Sequence, residues 1–363
     1  MDLLRRVALS LATPVLALVA AALVTTALLA LVGEDVGGFW SVMSTPPNAR
    51  QQVNIINAGS ALYLSGVAAA IGFRMNLFNI GVEGQYGLAA FMAAWFAGGG
   101  LVSGPLNTVL AVLIAMVTGA LWAGIAGVLK VTRGVSEVIG TIMLNAISGL
   151  LVSYLLAKYG TNIGVSQTTT PMPESSRIPE VGIIPGASSG IDGLAFLAVV
   201  VGVAYWVVLT YTRFGFSLRA AGASETAAAA AGIDVRRMAL VAMLASGAIA
   251  GLIAMPSLFS DTFAYGTGFQ PGLGFTGIAV ALLGRNHPGG IVFGAAIFAY
   301  LVDRGTQLNV LAGISPEIVS VTQGIIVLSV VVAYAIVQRY RTRSEQASVA
   351  RRSSATSAKE VLA

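Results

Sequence analysis

The chain has 363 residues, of which 56% are hydrophobic and 10% are charged, and its formal net charge is +5. Soluble domains carry about 25% charged residues, so this composition excludes an ordinary water-soluble protein. Cysteine is absent, which excludes a disulfide framework and a thiolate-bound metal. Most apolar runs are close to the roughly twenty residues that cross a bilayer as a helix, and they are longer than the strands of a membrane barrel. The sequence therefore predicts an all-α, polytopic membrane bundle.

Apolar runs follow one another along the chain and predict about ten transmembrane helices. The first, 7–32, is about twice as long as the apolar core of a signal peptide, so we interpret it as a retained span. Segment 274–303 is too long for one span and is interrupted by Arg-Asn-His-Pro at 285–288, so we expect two short helices there. The other predicted spans are 54–72, 76–97, 105–129, 137–158, 193–212, 238–258 and 317–338.

Basic residues between the predicted spans fall on one side of the membrane when ten helices alternate. Lys and Arg are enriched in cytoplasmic loops, so this side is predicted to be the cytoplasm, with both termini there. Segment 339–363 is rich in Ser, Ala and Arg and predicts a disordered cytoplasmic tail after a transmembrane domain at 1–338. Because the basic residues flank apolar helices, they indicate a lipid bilayer as the partner and not a nucleic acid. They are Arg5, Arg6, Arg74, Lys130, Arg133, Arg213, Arg219, Arg236 and Arg237.

A carboxylate and several amides stand at the start of the predicted helix 76–97. On a helix, Asn76, Asn79 and Glu83 would share one face. An ionisable residue inside the membrane is costly and usually faces a bundle interior or a solute pathway. We therefore predict that these three residues line a translocation pathway. The alternative is a structural Glu83 that is held by neighbouring backbone or by Arg74.

A second polar line runs down the predicted helix 137–158. Glu137, Thr141, Asn145 and Ser148 are spaced by four, four and three residues, which places them on one helical face. The first three are predicted to line the same pathway. Alternatively, such residues form hydrogen bonds to neighbouring helices.

The predicted cytoplasmic loop at about 213–237 carries helix signals of its own. Ser224 is a candidate N-cap, Glu225 suits the first turn, and Gly232 follows a run of alanines as a stop. Asp234 is then a candidate N-cap for the next span. A short rigid helix in this loop would suit force transmission to a partner protein, whereas a simple solvated connector is the alternative.

Other sequence patterns mainly exclude functions. No Gly-x-x-x-x-Gly-Lys-Ser/Thr sequence occurs, so any ATP-driven process would need a separate ATPase subunit. The Gly-x-Gly-x-x-Gly sequence at 272–277 follows no predicted strand and does not indicate a dinucleotide site. The single histidine, His287, excludes metal sites built from paired histidines. The Gly-x-x-x-Gly sequences at 247–251 and 290–294 predict packing grooves inside the bundle.

Several motifs together indicate a family. Residues 79–85, Asn-Ile-Gly-Val-Glu-Gly-Gln, resemble the permease subunits of bacterial nucleoside importers, within a wider family of ribose, galactose and branched-chain amino-acid permeases. Segment 136–145 resembles the family's helix-five motif, 218–233 its coupling loop, and 274–286 its late re-entrant region. The coupling loop departs from the usual Glu-Asn-Pro, with Ala-Ser-Glu-Thr in its place. The resemblance covers roughly residues 54–338.

The resemblance implies the permease of a type II ABC importer. Such a complex has two permeases, which in nucleoside systems are often different chains, two cytoplasmic ABC ATPases and an external substrate-binding lipoprotein. It also implies that this chain binds no cofactor, since the partner uses the ATP. Sugar permeases tend to carry Asp-Leu-Ser-Val-Gly where this chain has Ile-Gly-Val-Glu-Gly, which favours a nucleoside over a sugar. The predicted ATPase-coupling residues are Arg219, Gly222, Ser224, Glu225 and Gly232.

Two other classes of function remain open. An ion-coupled secondary transporter needs a buried ion site, often made of acidic residues at broken helices, and Glu83 and Glu137 could provide one. A channel or a structural membrane subunit would act without any ATPase.

Overall fold

The structure, a computed structural model, describes residues 18–163, 166–315, 317–330, 332–333 and 336. The start of the first predicted span and the predicted tail at 339–363 lie outside these residues. The helices are α1 (Leu18–Val32), α2 (Val36–Ser44), α3 (Ala49–Arg74), α4 (Val82–Gly98), α5 (Pro105–Arg133), α6 (Glu137–Tyr159), α7 (Leu197–Tyr211), α8 (Arg213–Ala223), α9 (Glu225–Ala230), α10 (Val235–Ala250), α11 (Met255–Ser257), α12 (Leu273–Leu283), α13 (Pro288–Ala312) and α14 (Glu317–Val330).

Irregular structure is concentrated in two loops. One holds a small antiparallel hairpin, β1 (Thr161–Ile163) and β2 (Ser166–Thr168), and a 3-10 turn at Glu174–Ser176. The other begins with a π-helical turn, Leu258–Thr262, that follows α11. The first loop precedes α7, and the second precedes α12.

Length and composition confirm an all-α membrane bundle. In the described part of the chain, five helical stretches are long and apolar enough to cross a membrane, and the pair α7 and α8, bent by 75°, raises the number to six. The five are α3, α5, α6, α13 and the run Val235–Thr262, and α1, α12 and α14 are shorter apolar helices. The expectation of two short helices within 274–303 was wrong in one respect. Only α12, with 11 residues, is short, because α13 continues without a break for 25 residues.

The described residues form two compact units, one made of those within 45–303 and a smaller one made of those within 1–44 and 304–363. In the larger unit, α3 is the most enclosed candidate span, since 72% of an apolar 18-residue stretch of it is buried. It packs against α7, α10 and α12. The least enclosed span is α6, at 17%. In the smaller unit, the indole Nε1 of Trp40 in α2 donates to Thr26 Oγ1 in α1 at 3.0 Å.

Glycines allow α5 and α10 to pack closely. A Cβ at Gly247 would collide with the carbonyl oxygen of Gly119, and one at Gly251 would collide with that of Ala115. Small residues that let helix backbones approach are typical of membrane interfaces. The packing groove predicted from the Gly-x-x-x-Gly sequence at 247–251 is therefore confirmed.

Side-chain caps divide the segment after α7 into separate helices. The hydroxyl of Thr212 accepts from Gly215 N at the start of α8, and Ser224 Oγ accepts from Ala227 N at the start of α9. Gly232 adopts a φ of +82° after α9, and Asp234 Oδ1 accepts from Arg237 N at the start of α10. The caps at Ser224 and Asp234 and the stop at Gly232 were predicted from the sequence, whereas the cap at Thr212 was not.

Candidate functional site

The chain between α3 and α4 turns before it becomes helical. Helix α4 begins at Val82 and not near Asn76, which has a φ of +57°. Asn79 Oδ1 accepts a hydrogen bond from Gly81 N at 3.1 Å, a local side-chain turn that competes with helix. The prediction that Asn76, Asn79 and Glu83 share a helical face was therefore wrong, since only Glu83 lies on the helix.

Asn79 belongs to a closed polar network in the bundle interior. It exchanges two hydrogen bonds with Gln85, at 3.0 and 2.9 Å, and also donates to Ser246 Oγ at 2.8 Å. The Ser246 hydroxyl in turn donates to the carbonyl of Ala68 in α3 at 2.6 Å. All three polar side chains are buried, so this network joins α3, α4 and α10 and satisfies groups that would be costly if unpaired.

Glu83 lies on the first turn of α4 and binds the start of α12. Its Oε1 accepts from Gly272 N and its Oε2 from Gly274 N, both at 2.7 Å. Hydrogen bonds to an ionised carboxylate are short and strong, and a helix N-terminus favours a negative charge. The structural alternative weighed for Glu83, backbone capping, therefore describes its contacts, although the donors come from a distant segment.

Glu137 pairs with Lys130 across the turn between α5 and α6. The Lys130 Nζ lies 2.7 Å from Glu137 Oε2, and Phe78 N donates weakly to Oε1 at 3.4 Å. Thr141, one turn further on, is buried and donates its hydroxyl proton to the Glu137 carbonyl at 2.7 Å. The N-terminal part of the α6 stripe is thus a packed seam. Its hydrogen bonds go to Lys130, to the Phe78 amide and to the backbone of α6 itself.

Asn145 continues this seam to α4. Its Oδ1 accepts from Gly84 N at 2.9 Å, and its Nδ2 donates to the Ile80 carbonyl at 2.8 Å. A Cβ added to Gly84 would collide with Ser148 Oγ, which shows how closely the helices approach. Asn145 and Ser148 are also the two members of the stripe that face an open cavity.

This cavity, which we call the aromatic cavity, lies between α4, α6 and the loop before α12. It has a volume of about 520 Å³. The rings of Tyr265 and Phe269 lie side by side in its wall, with centroids 5.1 Å apart and planes inclined by 32°. Tyr86 fixes the loop, because its hydroxyl donates to the Gln270 carbonyl at 2.7 Å. The polar lining includes Glu83, Asn145, Ser148, Ser153 and Gln167.

A second polar cavity, the acidic cavity, has a volume of about 570 Å³ and shares Pro271 with the first. Asp192 lies in it and is held by Asn57. The Asn57 Nδ2 group donates to Asp192 Oδ1 at 3.2 Å, and the Asp192 backbone N–H donates to Asn57 Oδ1 at 3.0 Å. Burial, together with the charges of Asp261 and Glu180, raises the pKa of the Asp192 carboxyl to about 6. Sequence reasoning passed over this cavity, because its residues come from α3, α11, α12, α13 and two loops and share no local motif.

The five predicted coupling residues fall into two groups. Ser224, Glu225 and Gly232 are exposed on and around α9. In α8, by contrast, a Cβ at Gly222 would collide with the carbonyl of Arg74, so this helix packs directly on the end of α3. The half-buried Arg219 lines a small pocket on the same side of α8.

Comparison with known proteins shows a consistent set of relatives. Residues 51–335 match the family described as branched-chain amino acid transport system / permease component. The chain is 37% identical to the guanosine ABC transporter permease protein NupP of Bacillus subtilis (strain 168), over 75% of this chain and 78% of that protein. It is 32% identical to the nucleoside ABC transporter permease protein NupB of Lactococcus lactis subsp. cremoris (strain MG1363), over 80% and 81% of the two chains.

A third relative has a different named solute. The glucose ABC transporter permease protein TsgB13 of Haloferax volcanii is 31% identical, over 91% of this chain and 89% of its own length. The family match, which spans most of the chain, and the helical membrane bundle agree with one another. The chain therefore belongs to the branched-chain amino acid transport system permease family, as a multi-pass membrane subunit of an ABC transporter in which a separate subunit hydrolyses ATP.

Proposed function

We propose that this chain carries a nucleoside inward across the bacterial cytoplasmic membrane, as one of two permeases of an ABC importer. Two of the similar proteins are named for guanosine or nucleoside transport and one for glucose transport. The observation that carries the choice is the aromatic cavity, in which flat rings lie beside amide, hydroxyl and carboxylate groups.

The aromatic cavity suits the two halves of a nucleoside. A base that stacks on an aromatic side chain gains about 1–3 kcal/mol, and Tyr265 and Phe269 offer such faces. The sugar hydroxyls require donors and acceptors, which Ser153 and Gln167 supply in the polar part of the lining. A cavity of about 520 Å³ is within the range of small-molecule sites. A nucleobase offers these rings a larger flat face than the C–H face of glucose does.

Glu83 and Asn145 fix the shape of this cavity while they line it. Their hydrogen bonds tie α4 to α12, and α6 to both α4 and the turn before it. Asn76, Asn79, Glu137 and Thr141 remain pathway candidates only for another conformational state, in which the packed seams would open. Alternating access requires such a second state, and ATP binding to the partner shifts the balance between the two states.

Force from the ATPase would enter through α8 and α9. The exposed helix α9 offers a contact surface, and α8 is packed through Gly222 onto Arg74 at the end of α3. The Arg74 guanidinium donates from Nε and Nη2 to the Asn286 carbonyl, at 3.1 and 2.8 Å. A displacement of α9 is thereby transmitted to α3 and to the turn that begins α13.

The remaining parts of the importer are assigned to partners. These are cytoplasmic ABC ATPases that use the ATP, a second permease of different sequence, and an external substrate-binding lipoprotein, with both termini of this chain in the cytoplasm. The basic residues at the α8 end of the bundle support this orientation. Family membership favours this arrangement over an ion-coupled carrier.

A pair of tyrosine variants tests the nucleoside assignment. Tyr265→Leu removes a stacking face from the cavity, whereas Tyr154→Leu removes a tyrosine from the exposed face of α6. In proteoliposomes with the complete importer, we expect Tyr265→Leu to reduce guanosine uptake at least about tenfold, the factor that corresponds to roughly 1.4 kcal/mol of lost stacking, and Tyr154→Leu to leave it near wild type. Equal uptake by the two variants would contradict the assignment.

A further inference from the structure

An apolar groove runs along the outer face of α7, between α3 and α13. We call it the α7 groove, and its volume is about 670 Å³. Val199 and Val203 of α7 and Val292 of α13 line it and are 67%, 55% and 55% exposed. The groove extends along α7 from Phe196 to Trp206, about 15 Å at 1.5 Å per residue.

One end of the α7 groove opens into a basic pocket of about 280 Å³. The two cavities share Trp206 and Pro288. The pocket is lined by Arg74, Arg219 and His287, and none of the described residues that line it is acidic.

Two of the basic groups in the pocket, Arg74 and His287, are held in place by hydrogen bonds. Arg74 is fixed by its two hydrogen bonds to Asn286, and the Tyr205 hydroxyl donates to the same carbonyl at 3.1 Å. His287 Nδ1 accepts from Gly289 N at 3.2 Å, so the neutral ring carries its proton on Nε2 and presents a donor. The pocket therefore combines fixed positive charge with hydrogen-bond donors.

We propose that the α7 groove and its basic pocket bind one anionic phospholipid, with an acyl chain along α7 and the phosphate between Arg219 and His287. The length of the groove is about half the roughly 30 Å hydrocarbon core, which is the depth of one leaflet. Trp206 stands at the junction, where an amphipathic ring suits the interface between chains and headgroups. Basic pockets between membrane helices recognise acidic headgroups through the same charge complementarity.

Trp206 also provides the probe. Replacing Trp40, Trp95 and Trp122 by Phe leaves Trp206 as the single tryptophan of the full-length chain. The protein is placed in phosphatidylcholine vesicles that contain a minor fraction of either dibrominated phosphatidylglycerol or dibrominated phosphatidylcholine. Bromine quenches a tryptophan that it touches, so the ratio of quenching measures the enrichment of the anionic lipid at Trp206.

We expect quenching by the brominated phosphatidylglycerol to exceed that by phosphatidylcholine, and Arg219→Gln to reduce the enrichment roughly fivefold, the factor that corresponds to about 1 kcal/mol for one basic residue. Arg237→Gln, which removes an exposed arginine outside the pocket, should leave it unchanged. His287→Gln serves as a second variant if Arg219→Gln inserts poorly. Equal quenching by the two lipids would overturn the proposal, and so would quenching by neither, which would show that protein covers the groove. An enrichment insensitive to both Arg219→Gln and His287→Gln would overturn it too.

Discussion

Glu83 Oε2 lies 2.7 Å from the backbone nitrogen of Gly274, and this contact joins the start of α4 to the start of α12. The two residues are 191 positions apart in the chain. Glu83 lines the aromatic cavity, so the same carboxylate that lines the cavity also sets the position of the start of α12.

Glu83→Gln should weaken both stability and transport. An amide presents only one acceptor oxygen, so one of the two glycine N–H groups would face a donor and lose its partner. An unsatisfied buried donor costs about 1–3 kcal/mol, and we expect a lower melting temperature in detergent and uptake reduced about tenfold. Glu225→Gln, at an exposed position, is the control for melting. Wild-type melting and uptake for Glu83→Gln would show that the contact is unimportant.

Asn145→Ala should impair transport more than a change outside the cavity does. The substitution removes the acceptor of Gly84 N and the donor to the Ile80 carbonyl. Thr132→Ala, on α5 and outside the cavity, removes only an exposed hydroxyl that bonds its own helix, to the Val128 carbonyl. We expect uptake by Asn145→Ala to fall several-fold, with about 1–3 kcal/mol of lost stability, while Thr132→Ala stays near wild type. If the two variants transport equally, Asn145 neither lines nor shapes the pathway.

Lys130 and Glu137 should behave as a coupled pair. Glu137 is 8% exposed, so Lys130→Met leaves a carboxylate without its cation in a poorly solvated site. We expect this variant to lose about 1–3 kcal/mol of stability, because the Glu137 carboxylate loses its charged hydrogen-bond partner at a largely buried position. The double variant Lys130→Met/Glu137→Gln should recover part of the loss. Additive effects in a thermal unfolding assay would mean that the two side chains do not interact.

Variants of the α8–α9 segment should separate ATP hydrolysis from transport. Replacing Arg219 and Glu225 together by Ala is expected to reduce uptake to background while the assembled complex still hydrolyses ATP. Thr226→Ala, which is exposed beside Glu225, is the control for assembly. Normal uptake by the double variant at normal expression would remove these two residues from the coupling surface.

The acidic cavity should make stability depend on pH. The pKa of Asp192 rises from 3.8 to about 6 on folding, so the folded state binds the proton more tightly than the unfolded chain does. The stabilisation is complete below about pH 4 and is lost as pH rises through about 6. Between about pH 4 and about pH 6, the melting temperature of Asp192→Asn should therefore change less than that of the wild type. If Asp192→Asn and the wild type have the same dependence of melting temperature on pH, a group other than Asp192 causes that dependence.

Local signals in the sequence predicted local structure well. Ser224 and Asp234 cap helices by hydrogen bonds to residues three positions ahead, and Gly232 ends α9 through its own positive φ. The glycines at 247 and 251 determine how closely their own helix can be approached. The start of α4 was misplaced because Asn79 bonds to Gly81 and turns the chain, an outcome that apolar composition alone does not reveal.

Partners that are distant in sequence could not be predicted. Nothing in the sequence around Glu83 indicates that its acceptors face Gly272 and Gly274, and nothing around Asn79 indicates Ser246. The Gly-x-Gly-x-x-Gly sequence at 272–277 did not indicate a contact with Glu83, yet its first two glycines provide the amides that hold this carboxylate. The cavities are likewise products of tertiary packing, since their lining residues belong to different helices and loops.

Direct measurement of solute uptake tests whether this chain takes part in the ATP-driven import of a nucleoside. The complete importer, with its ATPases, second permease and lipoprotein, is reconstituted in proteoliposomes and given radiolabelled guanosine, ribose or glucose with and without ATP. We predict ATP-dependent accumulation of guanosine that neither sugar matches and that omission of this chain abolishes. ATP-dependent accumulation of a sugar in preference to guanosine, or guanosine uptake that needs no ATP, would contradict this prediction.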